Sequence, residues 1–194
     1  MLDEKKIKES MKRVEQMLKR NEIIKEKDGK FTEFFLDNAV RSFEAAKLLY
    51  DTSTKQEIKK MAGFPDFNGF LWVINASYYS MFYAARALLE KSGVKIKADQ
   101  QSIHLAVFDA LIYYFYSNSK IERRLIEEFK EASVEASEIL GKEKAKELMD
   151  DYLREKEKRG RFTYEMGEIA MQSKAGTSLD RSRRFNEFIR EMLI

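Results

Sequence analysis

Apolar residues recur every three or four positions along most of this chain, and almost nowhere do they alternate with polar ones. Ile7, Met11, Val14 and Leu18 draw one stripe along an otherwise charged N-terminal segment, which the Asp28-Gly29 pair ends. A second helix is predicted from about Thr32 to Met61, with Phe35, Ala39, Phe43, Ala46 and Tyr50 on one side. Gly63-Phe-Pro-Asp66 is the clearest turn, and the helix after it runs to Ser92-Gly93. Asp99 or Ser102 can cap the next helix, which carries His104, Phe108, Leu111 and Phe115 and ends near Tyr116-Ser-Asn118. From Ile121 to Arg159 the pattern is helical and charged, interrupted around Gly141. An irregular stretch to Ala175-Gly176 and a last helix capped by Thr177 or Ser178 follow. No segment reads as a strand, and no repeat is visible. The pattern predicts an all-α, up-and-down bundle of five to seven helices.

The helix beginning near Phe70 is apolar on nearly every side, so each polar residue on it needs a reason to be there. At about 100° per residue, Asn68, Asn75, Tyr79, Tyr83, Arg86 and Glu90 fall on one narrow stripe. Such a stripe faces a cleft, a subunit interface or solvent. The run from Phe70 to Leu89 is long enough to span a membrane, but Asn75, Ser77, Ser80, Arg86 and three tyrosines make it a core helix.

Composition narrows the picture. The chain has 194 residues, 44% of them hydrophobic, enough for one sizeable core, and a single proline and eight glycines favour long helices. Charged residues reach 36%, mostly Lys and Glu in mixture, which fits solvated helix faces and a thermophilic source. The absence of cysteine removes thiolate chemistry and disulfides and is compatible with a reducing cytoplasm. The charged N-terminus lacks the apolar core of a signal peptide, so the expected location is cytoplasmic. Net charge is only +3, but residues 154–190 hold ten Lys/Arg against six Asp/Glu, and residues 122–151 hold six against ten. That asymmetry can orient an anionic partner.

Candidate chemistry is sparse. One histidine rules out a di-iron bundle built on paired Glu-x-x-His motifs, and no glycine-rich phosphate loop is present. No metal or cofactor is expected. His104 shares an apolar stripe with Phe108 and Leu111 near a helix start, where the dipole favours neutral imidazole, so a hydrogen-bonded core histidine is its first reading. Arg86 needs a carboxylate, an anion or a partner chain. Tyr79 and Tyr83 offer stacking faces as well as core packing.

The run Asn75-Ala-Ser-Tyr-Tyr-Ser-Met-Phe-Tyr-Ala-Ala-Arg-Ala-Leu-Leu89, followed by Ser102-Ile-His104, resembles the signature helix of small archaeal and bacterial HEPN domains (higher eukaryotes and prokaryotes nucleotide-binding). Asn38-Ala-Val-Arg-Ser-Phe-Glu-Ala-Ala-Lys-Leu-Leu49 is similar to that family's first helix, and Arg159-Gly-Arg-Phe-Thr-Tyr164 to its R-x-x-A-D-Y pattern. The resemblance covers roughly Thr32 to the C-terminus. It divides the chain into an added N-terminal helix at 1–30 and a HEPN-like bundle at 31–194.

The resemblance implies a homodimer that binds RNA or a nucleotide, in some relatives as the helical component of a toxin–antitoxin pair with a minimal nucleotidyltransferase. The cleft it implies is lined by Asn75, Tyr79, Arg86, Arg159 and Tyr164. Family ribonucleases work without metal through an Arg and a His with four to six residues between them, the Arg stabilising phosphorane charge while the His moves a proton. Here Arg159 is followed at that spacing by Tyr164, a poor base with an ordinary pKa of about 10. A non-catalytic binder is therefore the first reading. A ribonuclease using His104 with Arg159 is the enzymatic alternative, and a ligand-free interaction scaffold is the third.

Overall fold

A computed structural model describes residues 2–97, 103–140 and 161–194, with side chains for all of these except 140 and 161–168. Seven α-helices lie among the described residues: α1 Glu4–Lys19, α2 Thr32–Thr54, α3 Gln56–Met61, α4 Phe70–Lys91, α5 Ile103–Leu111, α6 Arg123–Leu140 and α7 Arg161–Leu193. The all-α bundle expected from periodicity is what forms. A π-helical turn, Ile112–Tyr116, extends α5. No described helix is long and apolar enough to cross a membrane.

Helix α4 is the axis of the bundle. Val73, Met81, Ala85, Ala87 and Leu89 are at most 1% exposed, and burying a large apolar side chain stabilises by about 1.5–3 kcal/mol. Helix α2 runs antiparallel along it: Phe35 stacks beside Tyr83, the Ala39 carbonyl accepts from Ser80 at 2.7 Å, and the Gly69 amide donates to Ser53 at 2.8 Å. Helix α7 covers another side, where Asn186 donates to Ser80 at 2.6 Å. A ladder of Arg181 on Glu131 and Glu135, with Arg184 on Glu128, ties α7 to α6. Gly176 lies mid-helix where α7 meets α2, and a Cβ there would come within 3.2 Å of the Tyr50 hydroxyl.

The N-terminal segment joins the same core. Leu2, Val14 and Ile23 are buried in it, Ile7 and Leu18 pack against it, and Arg13 grips the buried Asp109 of α5 with two bonds of 2.6 and 2.8 Å. The acceptor for the α1 stripe is thus this chain itself.

Three local expectations are corrected. Ile23–Lys25 and Val94–Ile96 form an antiparallel pair of strands, β1 and β2, too short to show an alternating pattern. The long second helix divides at Lys55, which is extended, because Thr52, Ser53 and Thr54 return their hydroxyls to the Leu48, Leu49 and Tyr50 carbonyls. The final helix starts at Arg161 and not near Thr177. Thr177 bonds the Ser173 carbonyl and Ser178 reaches Glu135, so neither caps a helix start. Fifteen residues of α4 are buried within one chain, while Leu71 and Trp72 on the same helix stay exposed. The capping residues Asp99 and Ser102 lie outside the described residues.

Candidate functional site

The polar stripe of α4 meets two different environments. At its C-terminal end every polar group is engaged. Arg86 lies half-buried with its guanidinium carbon 4.3 Å from the centre of the Phe35 ring, and it donates to the Ile96 carbonyl at 3.2 Å. Burial lowers its pKa from the ordinary arginine value, opposed by the nearby Glu90 and Tyr83. Glu90, 4% exposed, accepts from the Phe31 amide at 3.2 Å and has the Lys95 ammonium 4.0 Å away. Arg86 is therefore a clamp between α2, α4 and β2, turned from the cleft that the sequence expectation assigned to it.

The N-terminal end borders an open groove of about 500 Å³ between α2 and α4. Asn75, Ala76, Tyr79 and Tyr83 line it from α4, and Asn38, Arg41 and Ser42 line it from α2. Trp72, 62% exposed, completes one wall. Asn75 is only 9% exposed, yet its Oδ1 has no hydrogen-bond partner among the described residues. A buried amide oxygen left unpaired costs about 1–3 kcal/mol.

His104 sits behind this wall. Its Nδ1 is 2.7 Å from the Tyr78 hydroxyl, and its ring packs 4.5 Å from Phe82 and edge-on to Tyr79 at 5.9 Å. Burial lowers its pKa below the usual histidine value, which keeps it neutral at pH 7. Burial also pushes the Tyr78 phenol up to about 12, so that hydroxyl stays protonated. His104 is thus hydrogen-bonded and half-buried, and it touches the groove residue Tyr79.

Of the sequence-derived site residues, the structure brings Asn75 and Tyr79 to one groove, sets Arg86 and His104 outside it, and leaves two unplaced. Arg159 lies outside the described residues, and Tyr164 is on α7 with its side chain outside them. The sequence reading missed Trp72, Asn38 and Arg41. A single tryptophan one turn before Asn75 was a visible signal, but Arg41 reaches the site only through the antiparallel register of α2 on α4. No group of three or more potential metal ligands occurs among the described residues. Comparison with protein-family models, curated proteins and solved structures gives no match.

Proposed function

We propose that this chain is a HEPN-like, non-catalytic binder of RNA or a nucleotide, and that its ligand lies in the groove between α2 and α4. One observation carries the reading: a groove walled by Trp72, Tyr79 and Tyr83 of one helix has Arg41 on the facing helix and Asn75 in its lining. Aromatic faces stack on bases, a guanidinium holds phosphate, and an amide bonds a base edge or a sugar. The signature run resembling HEPN domains adds to this, since Asn75 and Tyr79 belong to it. The reading includes a homodimer and a separate minimal nucleotidyltransferase as partners; the exposed Leu48, Met61 and Phe64 are apolar positions for meeting another chain. A cytoplasmic setting goes with it.

A ligand-free scaffold is the second reading, favoured by the exposed Phe34, Leu48 and Trp72 on the same face. Equilibrium binding of labelled mixed RNA and of nucleotides, in chelator with a gel readout, separates the cases. The proposal expects salt-dependent retention of at least one of them with the RNA intact. No retention of either leaves the scaffold. Metal-independent cleavage abolished by His104→Ala in a folded protein replaces the binder with a ribonuclease.

A further inference from the structure

The groove combines a wide aromatic surface with little charge. Trp72, the single tryptophan of the chain, shares it with Tyr79 and Tyr83, and Arg41 is the one ionised side chain lining it among the described residues. Asp37 and Glu44, both exposed, lie within about one turn of Arg41 on either side along α2. A polyanion laid in the groove would meet one cation among the described lining residues, flanked by these two carboxylates. Binding many phosphates needs many cations, since each contact works by displacing counterions from the strand. A volume of about 500 Å³ suits a small ligand, such sites spanning roughly 300–1,000 Å³.

We infer, building on the RNA-or-nucleotide reading above, that the groove takes one nucleotide unit bearing a single phosphate. Its base stacks on Trp72, its phosphate meets Arg41, and the Asn75 amide bonds its base edge or sugar. The unit is either a free nucleoside monophosphate or the terminal nucleotide of a single strand. A duplex, a triphosphate tail and the continuous backbone of a long strand find no further cation lining the groove among the described residues.

Trp72 supplies the readout, because all tryptophan emission comes from the groove wall. The full chain is titrated with the four ribonucleosides, their monophosphates and triphosphates, and an octaribonucleotide with a 5′-phosphate. At least one monophosphate is expected to quench saturably, its nucleoside to bind tenfold or more weakly, and its triphosphate to fall within about threefold of it. Raising salt tenfold should weaken the monophosphate less than about tenfold, the slope of a single phosphate contact. Arg41→Ala, at an exposed position, should fold normally and bind monophosphate no better than nucleoside. Equal binding of the octamer and the monophosphate places the natural ligand at a strand terminus or free in solution, and competition by an octamer lacking the phosphate distinguishes them.

A triphosphate or octamer more than tenfold tighter than the monophosphate overturns the single-phosphate inference while leaving the binder reading intact. RNA retained without any Trp72 quenching moves the ligand elsewhere and overturns it too. If no nucleotide or RNA binds, and Trp72 emission shifts with protein concentration instead, the face is a protein interface and both readings fall.

Discussion

The two ends of the α4 polar stripe share a helix, a face and a residue class, yet they stand in opposite energetic states. Around Arg86 and Glu90, a ring face, a carbonyl, a backbone amide and an ammonium answer every charge. Around Asn75 the neighbours are aromatic walls and open space, and the buried oxygen is unanswered. A polar residue on a buried helix is thus no sign of function by itself. Nor is a missing partner, since Ser77 on the same helix is as buried and as unpaired; Asn75 differs in lining a groove with Trp72, Tyr79 and Tyr83.

That contrast makes a graded set of predictions. The largest effect belongs to a fully answered group elsewhere in the fold. Arg13→Ala strands Asp109, whose side chain is 1% exposed, and should destabilise by about 3–5 kcal/mol in denaturant titrations. Arg86→Ala should cost about 2–3 kcal/mol through the lost contact with the Phe35 ring and the lost bond to the Ile96 carbonyl. Near-native stability there would mean that the C-terminal end is not the clamp described. Tyr78→Phe removes the partner of His104 Nδ1 and should cost about 1–2 kcal/mol.

His104 adds a pH dependence whose sign follows from burial. Its pKa is lowered in the folded chain, so the unfolded chain takes up a proton first as pH falls. Its contribution should be level above the ordinary histidine value of about 6.5 and be lost as pH drops from there toward the folded pKa. His104→Gln should flatten that step in a series of melting curves, and an unchanged step would assign it to other groups. Smallest of all, Asn75→Ala should change stability by less than about 1 kcal/mol, since it deletes an acceptor that bonds nothing in the fold.

Legibility in the sequence followed the range over which each feature is decided. Helix α4 and its stop at Gly93 were readable because an apolar run and a glycine at φ +75° are local signals. The continuous α7 was not, because Thr177 and Ser178 have the composition of caps but spend their hydroxyls within the helix and on Glu135. Asn75 and Tyr79 were readable as polar exceptions on a buried helix. Arg86 met the same criterion, and it packs on Phe35, a residue fifty-one positions earlier that only the packing of α2 on α4 brings near. Arg41 was missed for the same reason in reverse, whereas Trp72 was a local signal passed over.

The most direct test sets the two ends of the stripe against each other in a single assay of ligand affinity and unfolding free energy. Asn75→Ala should fold as stably as the wild type and bind RNA or nucleotide at least about tenfold more weakly, the loss of one good hydrogen bond. Arg86→Met should be the less stable protein and, at a temperature where it remains folded, keep nearly wild-type affinity. Full binding by Asn75→Ala, with affinity lost in a folded Arg86→Met, would contradict the assignment of the open end as the site.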